Sequence, residues 1–100
     1  MSLADIHRSR HLDAFLDMMS AERGAADNTR DAYARDLTEH LAFLATRGRS
    51  ELNADSKDVQ AYLAHMTAAG LAATSRARRL SALRQFYKFL RNEEDRKSVV

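Results

Sequence analysis

The chain has 100 residues, of which 45% are apolar and 30% are charged, and it contains no Pro, Cys or Trp. This length suits one domain, and the apolar residues are too numerous for an intrinsically disordered chain. Without cysteine there is neither a disulfide framework nor a Cys-ligated zinc site. No apolar run approaches the ~20 residues of a membrane span, and the first residues do not resemble a signal peptide. We therefore expect a soluble, cytoplasmic domain.

The net charge of +2 conceals an uneven distribution along the chain. Residues 59–92 contain six basic and no acidic residues, whereas residues 1–58 contain eight basic and eleven acidic residues. Such a segment indicates either a surface for a negatively charged partner or a solvated helix face that pairs with acids of other helices. Charge alone leaves both interpretations open.

The first two helices are predicted over residues 8–23 and 29–47. Asp5 or Ser9 can cap the first helix, and Asn28 is a good N-cap for the second. A glycine follows each of the first three helical segments, where a C′ glycine ends a helix: Gly24, Gly48 and Gly70.

The third and fourth helices are predicted over residues 56–69 and 75–93. Asp55 can cap the third helix, and Thr74 or Ser75 the fourth. Because no segment alternates with the period-2 pattern of a strand, the chain is predicted to be all-α.

The predicted architecture is a four-helix bundle-like domain over residues 1–95. Residues 93–100 lose the helical periodicity, and residues 96–100 are predicted to begin a linker to a further domain. The residues expected to face the core recur at helical spacing: Leu12, Phe15, Leu16, Met19, Tyr33, Leu37, Leu41, Leu44, Val59, Tyr62, Leu63, Met66, Leu80, Leu83, Phe86, Tyr87 and Leu90.

The four histidines do not form a recognisable active site. His7 and His11 have the i, i+4 spacing of two zinc ligands but lack the adjacent Glu and the third ligand of a zincin site. His40 and His65 are predicted to be half-buried helix residues. There is no glycine-rich phosphate loop and no recognisable pairing of a nucleophile with a histidine. We therefore expect no catalytic residue, metal or cofactor in this domain, which by itself is not an enzyme.

The fourth helix is predicted to present an aromatic-rich face to the core and a basic, polar face to the outside. Arg and Lys bind phosphates or guanine edges, and Ser and Gln bind phosphates or bases, so this polar face suits a helix lying on DNA. Arg76 and Arg79 fall on the apolar side, where they either protrude towards DNA or pair with acids of the first or second helix. The polar face contains Arg78, Ser81, Arg84, Gln85, Lys88 and Arg91.

The start of the second helix offers another candidate contact with DNA. Asn28, Thr29 and Arg30 would form a polar helix end that enters a groove. The alternative is a capping Asn28 and an ordinary charged face, which the second helix alone favours.

Two segments together resemble the N-terminal core-binding domain of tyrosine recombinases, in particular the Xer branch. The second segment, residues 59–94, contains the most specific match, RLSALRQFYKFL. The order and spacing of the two segments carry the resemblance, which covers about residues 8–94. The first segment, residues 21–48, matches the family pattern through Glu22, Asn28, Thr29, Tyr33, Asp36, Leu37, Phe43, Leu44 and Gly48.

The resemblance implies a SAM-like domain that covers one face of a recombination core site, with its second and fourth helices at the major groove. The family's catalytic residues lie in a second domain, so the His-x-x-Arg spacing of residues 7–10 is a coincidence. The DNA contacts carried over, together with Lys88 from the polar face, are Asn28, Thr29, Arg30, Thr74, Ser75, Arg76, Arg78, Arg79 and, towards the backbone, Arg84.

We therefore expect the DNA-binding part of a bacterial site-specific recombinase that acts in DNA integration, recombination and chromosome dimer resolution, and so in chromosome partition and cell division. The resemblance implies strand transfer through a 3′-phosphotyrosine by the whole protein, without metal or nucleotide cofactor. The expected partners are double-stranded DNA and other protomers in a tetramer, with no membrane or small-molecule substrate. The alternatives are a phage or integron integrase N-terminal domain and a helical protein-interaction module.

Overall fold

The computed structural model describes residues 9–22, Gly24 and 26–98, without the side chains of residues 22 and 95–98. This part of the chain forms four α-helices and no strand, as predicted. The helices are α1, Arg10–Glu22; α2, Asp27–Thr46; α3, Ser56–Ala68; and α4, Ala73–Ser98. Within the described residues, no helix combines the length and the apolarity needed to cross a bilayer.

The predicted apolar stripes form one core, to which all four helices contribute. Phe15 of α1 packs against two rings of α4, with centroids 5.6 Å from Phe86 and 5.7 Å from Phe89. Predicted core residues at the edge, such as Tyr33 and Tyr87, are half-buried. The buried apolar residues are Leu12, Phe15, Leu16, Met19, Leu37, Leu41, Leu44, Tyr62, Met66, Ala82, Leu83, Phe86 and Leu90.

Two of the predicted N-caps are confirmed. The Ser9 hydroxyl accepts a hydrogen bond from the Leu12 amide at 2.9 Å, so Ser9 caps α1; Asp5 lies outside the described residues. At α3, Asp55 and Asp58 form a reciprocal capping box, in which each side chain accepts from the other residue's backbone amide.

The predicted caps of α2 and α4 are wrong, because both helices begin earlier than expected. Ala26 is the N-cap of α2 without a side-chain cap, and Asn28 lies inside the first turn. Asp27 at the first helical position complements the positive end of the helix dipole, which favours this earlier start. At α4 the Arg76 amide donates to the Ala72 carbonyl at 3.0 Å, and this places Thr74 and Ser75 in the first turn.

The last helix is longer than predicted. It continues to Ser98, five residues beyond the expected end at residue 93. The predicted end relied on the loss of apolar periodicity, but residues 93–98 contain neither Gly nor Pro and include good helix formers such as Glu, Arg and Lys. The absence of a helix breaker therefore outweighs the absence of an apolar face.

Gly48 ends α2 in the way the sequence predicts. Its φ is +71°, in the left-handed region, and a Schellman motif joins the Gly48 amide to the Ala45 carbonyl and the Arg49 amide to the Leu44 carbonyl. A Cβ at Gly48 would meet no atom within 4 Å, so a substitution here tests backbone conformation alone.

Gly48→Ala is expected to lower the free energy of unfolding by about 1 kcal/mol, because alanine is strained at positive φ. Urea denaturation monitored by circular dichroism measures this. Gly48→Asn is the matched control and should lose less, since asparagine tolerates this region better than alanine. Equal losses in the two variants would contradict the assignment to backbone strain.

Candidate nucleic-acid interface

Three cations form an exposed row along α4. Arg84, Lys88 and Arg91 lie at i, i+4 and i+7, so they share one side of the helix and span about 10 Å of its axis. No ion pair joins them to any residue that the structure describes. This basic row is thus a concentrated positive charge that no described side chain neutralises by an ion pair.

A bidentate ion pair joins α4 to α2 further towards the start of α4. Arg78 donates to Asp36 from Nε at 3.0 Å and from Nη2 at 3.1 Å. The Asp36 side chain is 1% exposed, whereas the Arg78 side chain is 45% exposed. Arg78 therefore remains accessible to a ligand although one edge of its guanidinium is occupied.

Arg79 and Arg76 are engaged within the protein. The Arg79 side chain is 16% exposed, pairs with Glu39 and lies 3.6 Å from the Asp36 carboxylate, both on α2. This is the pairing that the alternative interpretation of the sequence predicts for Arg79. Arg76 instead donates from Nη1 to the Leu71 carbonyl at 2.6 Å, which holds the backbone just before α4.

The starts of α2 and α4 present polar residues. Asn28 and Thr29 are exposed in the first turn of α2, and Thr74 is exposed in the first turn of α4, whereas Ser75 is half-buried. Arg30 lies 3.7 Å from the exposed carboxylate of Asp17, a loose surface pair. The exposed polar side chains at the two helix starts are accessible to a ligand. No hydrogen bond connects the described residues of one helix start to those of the other.

A polar network links the middle of α4 to α2. The Gln85 amide donates to the Tyr33 hydroxyl at 3.1 Å and to the Ser81 hydroxyl at 3.3 Å. Ser81 and Gln85 thus lie at the junction with α2, while Arg84 and Lys88 face outwards. The polar face predicted for the fourth helix is therefore divided into a packed edge and an exposed row.

Besides Asp36, two other polar residues are deeply buried, and the sequence did not predict the burial of any of the three. His40, expected to be half-buried, is 0% exposed, and its Nε2 lies 2.7 Å from the Tyr87 hydroxyl. Its Nδ1 is buried without a partner, and burial lowers the pKa of His40 to about 4. Asp58 is 2% exposed, and hydrogen bonds from the Asp55 amide and from Arg47 hold its pKa below the usual range. His40 joins α2 to α4 through Tyr87, and Asp58 joins the start of α3 to Arg47 at the end of α2.

The other two histidines that the structure describes lie apart, on α1 and α3. His11 Nδ1 lies 3.2 Å from a Glu51 carboxylate oxygen, His65 is exposed on α3, and His7 lies outside the described residues. Among the side chains of residues 9–21 and 26–94, no three His, Asp or Glu groups are arranged to hold a metal ion.

Comparison with known proteins places the chain in a family. Residues 12–94 match the phage integrase N-terminal SAM-like domain. Tyrosine recombinase XerD of Agrobacterium fabrum is 56% identical over 82 residues, which cover 82% of this chain and 25% of that protein. The proteins of the same name from Rhizobium meliloti and Caulobacter vibrioides are 55% and 46% identical over 80% and 81% of this chain, and 26% and 27% of their own lengths. No solved structure matches. The chain spans about a quarter of these relatives, and it belongs to the phage integrase N-terminal SAM-like domain family.

Proposed function

We propose that the chain is the DNA-binding core-binding domain of a Xer-like tyrosine recombinase. The observation that carries the proposal is the basic row of Arg84, Lys88 and Arg91, which lies inside the family match and has no ion pair among the described residues. Cations that remain unpaired on one side of a helix bind phosphates and release counterions from DNA. The row is therefore assigned to the sugar-phosphate backbone of a duplex.

The starts of α4 and α2 supply the remaining contacts. Half-exposed Arg78 lies near the start of α4, where side chains reach base edges when a helix end enters the major groove. Arg76 and Arg79 support this end of the helix through their contacts within the protein. The further contacts proposed are Asn28, Thr29, Arg30, Thr74 and Ser75.

The whole protein is proposed to be a site-specific recombinase of bacterial chromosomal or plasmid DNA, acting in the cytoplasm. The linker to its catalytic domain is proposed to begin within residues 96–100, of which residues 96–98 continue α4, and the catalytic domain is proposed to cleave DNA through a tyrosine nucleophile. Four protomers on two duplexes form the active assembly. Support comes from the relatives, which are named tyrosine recombinase XerD. The helical protein-interaction module is not favoured, because the family match covers residues 12–94.

The salt dependence of DNA binding tests the basic row. For the 100-residue chain and a labelled duplex, log K is expected to fall linearly with log salt, and Arg84→Ala and Lys88→Ala should each reduce the slope by about 0.9. Fluorescence anisotropy gives the binding constant at several salt concentrations between about 50 and 200 mM, a range over which phosphate contacts change the affinity strongly.

Arg10→Ala is the matched control, because Arg10 is an exposed cation on α1, which supplies none of the proposed contacts. It should leave the slope close to that of the parent. An equal change in slope for Arg10→Ala would show that net charge matters and that the basic row is not the DNA-binding surface. Each variant is compared at a temperature where its circular dichroism spectrum equals that of the parent.

A further inference from the structure

A buried carboxylate fixes the orientation of the guanidinium beside the basic row. Asp36 receives Nε–H and one Nη2–H of Arg78 in a bidentate arrangement, from inside the α2–α4 interface. Two parallel hydrogen bonds to one carboxylate hold the plane of a guanidinium as well as its position. Arg78 is therefore restrained although nearly half of its side chain is exposed.

The arrangement leaves a defined set of donors unused by Asp36. A guanidinium has five N–H donors, so the second Nη2–H and both Nη1–H groups remain. The two nitrogens at the end of the side chain can donate in parallel, which is the geometry that binds the O6 and N7 atoms of guanine. The edge that Asp36 occupies is the adjacent one: both edges include Nη2 but use different hydrogens of it, so Asp36 and a base can be bound at the same time.

We infer that Asp36 is a positioning residue for sequence recognition: it holds Arg78 so that the free end of the guanidinium meets a base edge in the major groove. This inference rests on the proposed function. Arg79 lies 3.6 Å from the same Asp36 carboxylate but pairs with Glu39, so the hydrogen bonds to Asp36 come from Arg78. Arg78 is the member of this cluster that combines a fixed plane with exposure.

The test compares selectivity in matched charge variants of the 100-residue chain. A preferred duplex is first selected from a random-sequence library, and anisotropy then gives the ratio of affinities for that duplex and for a scrambled one. Asp36→Asn is expected to lower this ratio about tenfold, the scale of one bidentate base contact. Glu39→Gln removes the same charge from a half-exposed neighbour that pairs with Arg79, and it should leave the ratio unchanged.

Charge and positioning predict opposite results for Asp36→Asn. Loss of a negative charge strengthens electrostatic attraction to any duplex, whereas loss of positioning weakens binding to the preferred duplex in particular. Arg78→Ala should lower the ratio as Asp36→Asn does, and the double variant should lower it no further. A ratio that stays at the parent value in Asp36→Asn, or that falls again in the Arg78→Ala background, overturns the inference.

Arg78→Lys decides the matter if Asp36→Asn does not fold. Lysine keeps the charge but cannot form the two-pronged bond, so the selectivity should fall about tenfold while the salt slope stays at the parent value. Parent selectivity in Arg78→Lys overturns the inference and leaves the proposed function intact. Absence of salt-dependent binding by the parent to any duplex would instead refute the proposed function itself.

Discussion

Phe86→Ala is expected to lower the free energy of unfolding by about 3–5 kcal/mol, a large part of the stability of a domain of this size. Phe86 is 0% exposed at the centre of the core and contacts the ring of Phe15 across the α1–α4 interface. Truncation removes the favourable transfer free energy of the buried ring. It also leaves a cavity between α1 and α4, because other contacts fix the distance between the two helices and prevent them from closing it.

Urea denaturation measures the loss in free energy of unfolding caused by Phe86→Ala. Leu52→Ala is the control for loss of an apolar side chain without a cavity: Leu52 is 63% exposed, and its truncation should change stability by less than about 0.5 kcal/mol. Phe86→Leu, which fills part of the space, should lie between the two. If Phe86→Ala unfolds within about 1 kcal/mol of the parent, the ring is not at the centre of the core.

The apolar faces could be predicted because they depend on spacing within one helix. Leu12, Phe15 and Leu83 are buried where the 3.6-residue period places them. Helix ends were less predictable, because several residues near a boundary can act as the cap. Asn28 has a strong N-cap preference, yet the helix begins before it, at Asp27.

Which arginines pair with acids and which remain exposed could not be predicted, because this depends on contacts between distant parts of the chain. The sequence shows that residues 59–92 are basic, but it does not show which cation meets an acid of α2. Arg78 and Asp36 are separated by 42 residues, and Arg79 and Glu39 by 40. The acid-free stretch predicts that α4 has an exposed basic side. It does not predict which of its cations are paired within the protein.

Buried polar residues escape sequence analysis for a related reason. His40 lies among charged and apolar neighbours in the sequence, and its partner Tyr87 is 47 residues away. A histidine on a helix flank gives no signal of complete burial until the fourth helix is placed against it. The same placement determines how this residue responds to pH.

The domain is expected to lose stability in mild acid through His40. Burial lowers its folded-state pKa to about 4, below the ordinary value of 6.5, so the unfolded chain binds a proton that the folded chain excludes. Stability is therefore fully present above pH ~6.5 and is lost as pH falls towards 4, by about 2 kcal/mol at pH 5 and about 3 kcal/mol at pH 4. Hydrogen bonding acts in the same direction: protonation places a hydrogen on both ring nitrogens, but Nδ1 has no acceptor.

Urea denaturation at about pH 7, 6, 5 and 4 measures the free energy of unfolding across the range between the unfolded and folded pKa values of His40. His40→Gln keeps a polar group for the Tyr87 hydroxyl but cannot titrate, so its stability should vary much less over this window than that of the parent. His65→Gln, a matched change at an exposed histidine of α3, should retain the parent's slope. The lowered pKa of Asp58 adds a separate loss at lower pH, where that carboxylate is protonated, and both His variants should still show it. Parallel profiles for the parent and His40→Gln would show that the acid sensitivity arises from another group.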